Sequence, residues 1–201
     1  MARSKPLPHS FYARPTLTVA PDLLGRVLVR RYRGKRLAGR IVETEAYLGP
    51  EDPASHARHG PVSRAAPMFG PPGFAYVYFT YGMYHCMNTV TEGDGSGTGV
   101  LVRAIEPLEG IEVMQRHRGN VSAARLTDGP GNLCQALAID LSLNRTDLTG
   151  EVLWIEEGVP VPPSKIGASP RIGIRHGREH HARFYVKESP SVSAHPRYER
   201  S

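Results

Sequence analysis

Glycine and proline interrupt this chain from end to end, with 21 Gly and 18 Pro scattered over 201 residues. Glycine weakens a helix interior and proline breaks one. Many short elements joined by turns are therefore expected. Most of the runs between interruptions are strand-like. RVLVRRY (26–32) alternates, Arg33-Gly34-Lys35 supplies a hairpin turn, and RLAGRIVETEAYL (36–48) returns as a second strand. AYVYFTYGMYHCMNTVT (75–91) and VLVRAIEP (100–107) flank the Gly-rich turn EGDGSGTG (92–99), and VLWIEEG (152–158), PRIGI (170–174) and ARFYVKE (182–188) add further strands. Short helices are expected over 18–24 with Thr18 as cap, after Pro107 carrying Leu108, Ile111 and Met114, and in GPGNLCQALAI (129–139) with Pro130 in its first turn. Strands outnumber helices and arrive in hairpin-like pairs. The expected fold is α+β, one domain over 1–201 built on an antiparallel sheet, with 1–9 as a frayed arm.

The formal net charge of +6 suits a polyanionic partner, which is a statement about association rather than fold. Of 25 basic residues only Lys5, Lys35, Lys165 and Lys187 are lysine, so 21 are arginine. Bidentate phosphate binding and the coding bias of a GC-rich genome both account for that excess. Cys86 and Cys134 are too few for a disulfide framework and are expected as reduced, packed thiols in a cytosolic protein. No apolar stretch approaches the roughly 18 residues of a membrane helix, and MARSKPLPHS has no apolar signal region. Neither a membrane span nor membrane attachment is expected.

Alternation in GRIVETEAYLGPED places Ile41, Glu43, Glu45 and Tyr47 on one face of a strand and Val42, Thr44, Ala46 and Leu48 on the other. The second set makes a core face, so two carboxylates and a tyrosine are expected on the exposed side, just before the long irregular connection 49–73. That face has two readings: solvated glutamates paired to arginines, or a carboxylate activating water at the rim of a cleft. The i, i+2 carboxylates would lie about 6.7 Å apart by backbone rise, a separation that also leaves O-glycoside hydrolysis open.

Downstream, Tyr76, Tyr78, Tyr81 and Tyr84 crowd into AYVYFTYGMYHCMN, with Gly82 among them. A glycine inside a strand pattern marks a bend or bulge, so Tyr81-Gly82 is expected at a hairpin tip. Tyrosines lining a pocket can stack on a planar base, and a ring at a tip can wedge between base pairs. Core packing is the competing reading, and it is the one expected for Tyr76 and Tyr84. HGREHH (176–181) carries the H-x-x-E-H spacing of a zinc peptidase, but Gly177 and the flanking strand-like runs argue for a loop. No metal site is expected there.

Taken in order, IVETEAYLGPEDPASH, MFGPPGFAYVYFTYGMYHCMN, LVRAIEPLEGIEVM, GPGNLCQALAI and RFYVKESP resemble the alkyladenine (3-methyladenine) DNA glycosylase family over about residues 11–192. The resemblance implies a curved antiparallel sheet with a β-hairpin that enters the DNA minor groove. It also implies a monofunctional base-excision-repair enzyme acting on alkylated or deaminated purines in double-stranded DNA, without cofactor, metal or lyase step. By motif, Glu45 corresponds to the general base. Arg103 and the Ile172 carbonyl correspond to the groups that position its water. Tyr47, His56 and Tyr78 correspond to the walls around a flipped base, and Asn88 to a gate against normal guanine. Tyr81 corresponds to the intercalating wedge, with Met83 behind it, and Glu43 becomes a structural partner. A non-cutting binder of damaged DNA is the alternative. A monomer in the cytoplasm, on the nucleoid if the source is bacterial, completes the expectation. HARHGPVSRAAPMF departs from the pattern by lacking an Arg-Thr-Pro-Arg-Asn run, with Arg64 at one basic position.

Overall fold

Two hairpins built on the same turn chemistry organise the sheet. β1 (Val27–Tyr32) and β2 (Lys35–Tyr47) are joined through Arg33 and Gly34, at φ 48° and 75°. β3 (Ala75–Thr80) and β4 (Tyr84–Val90) are joined through Tyr81 and Gly82, at φ 52° and 69°, with the Met83 N–H donating to the Thr80 carbonyl at 3.2 Å. Two successive left-handed residues make the primed turn whose twist matches the flanking strands, and a glycine at the second position lowers its cost. The computed structural model describes residues 5–119 and 121–193.

Among the described residues, β5 (Gly99–Glu109), β6 (Leu153–Glu156), β7 (Ile166–Ser169) and β8 (Arg183–Val186) complete an open antiparallel sheet of 8 strands, ordered β3-β4-β5-β2-β1-β6. β2 is the hub. One edge pairs with β5, while the other gives its first part to β1 and residues 43–45 to β8, which in turn carries β7. Its register against β5 slips around Gly39 and again on both sides of Glu43, leaving Val42 unopposed. Such bulges bend a strand and increase its twist, and here β2 keeps β5 along one edge while it passes from β1 to β8 along the other.

The helices α1 (His9–Tyr12), α2 (Thr16–Asp22), α3 (Ile111–Arg118) and α4 (Pro130–Ala136) are short. α2 packs on β2, and α4 on β4 and β5. The main core gathers Leu24, Leu28, Ile41, Val42, Ala46, Val102, Ile105, Met114 and Leu133. The Thr44 hydroxyl donates to the Ala20 carbonyl of α2 at 2.9 Å, so Val42, Thr44 and Ala46 face inward as their alternation implies. Ile41 joins them because the bulge interrupts that alternation.

Several expectations are corrected. Glu43 and Glu45 have no exposed surface at all, so their face of β2 is not the solvated one. α2 begins at Thr16 after Pro15, and its first N–H is capped by the Glu92 carboxylate at 2.9 Å rather than by Thr18. β5 runs through Pro107 to Glu109, and α3 starts only beyond the left-handed Gly110, leaving Leu108 and Ile111 exposed. Residues 170–174 form a turn rather than a strand, β7 taking the segment before Pro170. The expected N-terminal arm is docked from Pro6, which bridges Glu156, and Leu7 is buried; residues 1–4 lie outside the described residues. The connection 49–73 is structured, with 3₁₀ turns at His56–His59 and Ser63–Phe69. It builds a second apolar cluster on the sheet's other face, with Ala57, Met68, Tyr76 and Val90 at its centre and Tyr47, Phe69 and Tyr78 packed on it. Tyr76 is buried, whereas Tyr84 is 41% exposed, so core packing holds for only the first of that pair.

Candidate active site

Directly opposed residues of antiparallel strands share a face of the sheet. One such row crosses five strands: Tyr76 on β3, Asn88 on β4, Leu101 on β5, Glu45 on β2 and Arg183 on β8. Stepping two residues along β3, β5 and β2 adds Tyr78, Arg103 and Tyr47 to the same face. Residues far apart in sequence thus meet on the side away from the helices, beneath the 49–73 connection.

Glu45 sits at the centre. Its Oε1 accepts the Ile172 backbone N–H at 2.7 Å, and its Oε2 accepts the Tyr47 hydroxyl at 3.0 Å and lies 3.3 Å from Arg103 Nη1. The turn at 170–174 explains the first contact, because an N–H in a strand would have been spent on a ladder. Burial disfavours charge on Arg103, but Glu45 and Glu43 outweigh it and hold the guanidinium above its ordinary value. Burial, then Glu45 and Tyr78, push the Tyr47 hydroxyl well up, so it stays a donor to the carboxylate.

Glu43 is wholly spent on structure. Its Oε1 accepts Arg103 Nε at 3.0 Å and Arg183 Nε at 2.6 Å, and its Oε2 accepts the Ser193 backbone N–H at 2.8 Å and the Ser193 hydroxyl. Burial would raise its pKa, yet Arg103, Arg183 and Ser193 bring it below the usual carboxylate range.

The aromatic side is built by His56, Tyr76 and Tyr78. The rings of His56 and Tyr78 meet edge to face at 4.6 Å, and Tyr76 and Tyr78 lie 5.2 Å apart at 31°. Arg64 reaches this group, its guanidinium over the Tyr78 ring at 5.4 Å and its Nη2 at 2.9 Å from His56 Nε2. Arginine can only donate, so His56 Nε2 accepts and the proton sits on Nδ1, which points at the Tyr76 hydroxyl 3.0 Å away. Burial, then Arg64 and Arg58, push His56 down to about 4, leaving it a neutral ring at physiological pH. A ¹⁵N-detected NMR titration of the imidazole is expected to show the Nδ1–H tautomer at pH 7 and a midpoint below about 5. In Arg64→Ala the midpoint should move up toward the ordinary histidine value of about 6.5. A wild-type midpoint near 6.5 would contradict this arrangement.

Asn88 donates its amide to the Tyr76 carbonyl at 3.1 Å and is buried. Tyr81 and Met83 stand off the hairpin tip, 81% and 65% exposed, with Phe79 and Tyr84 partly exposed beside them. The structure therefore brings Glu45, Arg103, Tyr47, His56, Tyr78, Asn88 and Ile172 to one region of the sheet and sets Tyr81 and Met83 on the adjoining tip. His176 and His180 lie in turn and bend backbone, not on a helix, which removes the geometry the zinc-peptidase spacing needs.

Four residues that sequence reasoning did not single out complete the site: Asp52, Arg171, Arg183 and Ser193. Asp52 and Arg171 form a buried bidentate pair, with Arg171 Nη2 at 2.8 Å from Oδ1 and Nη1 on Oδ2. The Arg171 guanidinium also covers one face of the Tyr47 ring at 4.7 Å. Asp52 additionally accepts the Leu48 and Ala54 N–H groups, each at 3.0 Å. The second of these is an Asx turn legible in DPAS, whereas the arginine lies 119 residues away with no local signal.

The family model described as methylpurine-DNA glycosylase matches residues 10–190. A protein of Carboxydothermus hydrogenoformans, named "Putative 3-methyladenine DNA glycosylase", is 52% identical over 188 residues, covering 93% of this chain and 98% of its own. Proteins of the same name from Methanocella arvoryzae and Myxococcus xanthus are 50% and 48% identical, each over 193 residues, and cover 93% and 94% of this chain and 95% and 94% of their own. A family match over nearly the whole chain, with about half of all positions shared with full-length relatives, establishes that the chain belongs to the methylpurine-DNA glycosylase family.

Proposed function

We propose that this chain is a monofunctional DNA glycosylase of base-excision repair. On this reading it rotates alkylated or deaminated purines out of double-stranded DNA and hydrolyses their N-glycosidic bond, leaving an abasic site. The substrate class comprises 3-methyladenine, 7-methylguanine, hypoxanthine and ethenoadenine. Family membership supports an N-glycosyl hydrolase acting on DNA. The observation that carries the mechanism is the buried carboxylate of Glu45, held by a backbone N–H, a tyrosine and an arginine on the same sheet face as the Tyr76–Tyr78–His56 aromatic group.

In this reading Tyr81 enters the duplex and fills the gap left by the extruded nucleotide, Met83 supports it, and Tyr47, His56 and Tyr78 stack on the base. Damaged bases unstack at lower cost, which contributes to selectivity. Asn88, pinned to the Tyr76 carbonyl, opposes the exocyclic amine of normal guanine. Glu45 takes a proton from water as the water oxygen bonds to the sugar carbon. The glycosidic bond breaks with its electron pair going to the base, and Arg103 and the main chain at Ile172 position the water. A lyase step needs an amine nucleophile. Among the described residues, no lysine is in contact with Glu45 or the aromatic group, and borohydride trapping on damaged DNA is expected to yield no adduct. The protein acts as a monomer, without cofactor, and its charge of +6 supports phosphate-backbone binding.

Glu45 has no exposed surface in the free protein. Water therefore reaches it only when the Tyr47 hydroxyl or Arg103 gives way as the nucleotide enters. That burial is also the observation favouring a second reading, a protein that binds damaged DNA without cutting it. Incubation with an inosine-containing duplex followed by alkali separates the two, strand scission marking the enzyme and a bound, intact duplex the binder. Tyr81→Ala should leave Tm unchanged, since the ring is 81% exposed. It should lower kcat/KM on the duplex by about 10- to 100-fold, given roughly 1–3 kcal/mol of stacking per base. Undiminished kcat/KM would remove Tyr81 from the mechanism.

A further inference from the structure

We propose that Ser193 is a positioning residue for the water-activating pair, acting through Glu43 on Arg103; the inference rests on the glycosylase reading above. Ser193 reaches the buried charges through four contacts. Its N–H and hydroxyl donate to Glu43 Oε2, its Oγ accepts Arg103 Nη2 at 3.3 Å, and its carbonyl accepts Arg183 Nη2 at 3.3 Å. Among the described residues, Oε2 takes its hydrogen bonds from Ser193, while Oε1 is taken by the two arginines.

Arg103 donates to two acceptors, Glu43 Oε1 at 3.0 Å and Ser193 Oγ at 3.3 Å, and its Nη1 lies 3.3 Å from Glu45 Oε2. The guanidinium is thus anchored on Glu43 and only touches the Oε2 edge of Glu45. Two carboxylates and two arginines balance in charge, so geometry decides which pairs close tightly. Removing the Ser193 hydroxyl takes a donor from Glu43 and an acceptor from Arg103 in one step. The guanidinium, then held by Glu43 through Nε alone, is free to turn its Nη groups toward Glu45 Oε2. A guanidinium drawn onto Oε2 occupies the lone pair that must receive the proton from water. Ser193 keeps that lone pair available through Glu43, from which it is 150 residues distant in sequence.

The test compares the full chain with Ser193→Ala and Ser193→Thr on a hypoxanthine-containing duplex under single-turnover conditions, at a temperature where Tm measurements show all three folded. Ser193→Ala is expected to lower the maximal cleavage rate by about 10-fold, from the lost hydrogen bonds to charged groups. Its half-saturating concentration should be unchanged, and Ser193→Thr, which retains the hydroxyl, should restore most of the rate. Equal rates for wild type and Ser193→Ala overturn the proposal. So do equally slow Ala and Thr variants, or a loss confined to half-saturation. Wild-type protein that leaves the duplex intact removes the glycosylase reading and this inference with it, whereas a cutting wild type matched by Ser193→Ala removes this inference alone.

Discussion

Glu45→Gln is expected to abolish cleavage while the variant still binds damaged duplex, with kcat falling roughly 100- to 10,000-fold, the range for loss of a positioned general base. The substitution keeps size and shape. The amide oxygen can still accept the Ile172 N–H, which reaches Oε1 at 2.7 Å. The amide NH₂ replaces Oε2, where the Tyr47 hydroxyl can reverse its role and accept. Arg103 loses one anion at 3.3 Å but keeps Glu43 at 3.0 Å, so the fold is expected to survive. What disappears is the lone pair that takes the proton from water. Single-turnover cleavage read beside a binding isotherm tests this directly. Turnover comparable to wild type would show that Glu45 is not the base.

Asp52→Ala is expected to cost about 3–5 kcal/mol of stability, the cost of leaving one member of a buried ion pair unpaired. For a domain of this size that corresponds to a fall in Tm of about 10 °C. Asp52 accepts from two backbone N–H groups and from both Arg171 Nη atoms, and Arg171 also donates to the Ala46 carbonyl at 2.9 Å. Without its partner, a guanidinium buried against Tyr47 loses the carboxylate that is hydrogen-bonded to it. Activity should fall as well, because Arg171 adjoins Ile172, whose N–H holds Glu45.

The pair carries a pH signature. Burial alone would raise the Asp52 pKa, but Arg171 and the Leu48 and Ala54 N–H groups hold it below the usual carboxylate value. Its contribution is therefore fully present above the unfolded pKa of about 3.9. It is lost as pH falls through the lower folded value. Wild type should lose this stability below about pH 4, a loss the Asp52→Ala variant has already taken. Asp52→Leu/Arg171→Met, which removes both charges, should be less destabilised than the sum of its single variants. Thermal melts across pH 3–7 that show no difference between wild type and Asp52→Ala would refute the assignment.

Local pattern carried much of this protein's architecture. Alternation over 42–48 was enough to set Val42, Thr44 and Ala46 toward the helices and Glu45 beside Tyr47 on the opposite face. Tyr81-Gly82, a tyrosine-glycine pair inside a strand pattern, marked the hairpin tip because a primed turn needs two left-handed residues. The misreadings have physical causes as specific as the successes. Ile41 faces the core because the bulge beside Glu43 in the β2–β5 register breaks the alternation. Thr18 does not cap its helix because a carboxylate from Glu92 does so first. The strand pattern in PRIGI yields a turn because the Arg171 side chain is committed to Asp52 and the Ile172 N–H to Glu45.

The sequence by itself determined the antiparallel class, the two glycine-aided hairpin tips, and the presence of carboxylates and tyrosines beside one another, since all of these follow from periodicity and backbone dihedral preference over a few residues. Only the tertiary structure decided which carboxylate is free to work and which is consumed, because that depends on partners brought in from residues 103, 172, 183 and 193. A buried charge must be answered within hydrogen-bonding reach, and the chain supplies each answer from wherever its folding happens to bring a donor.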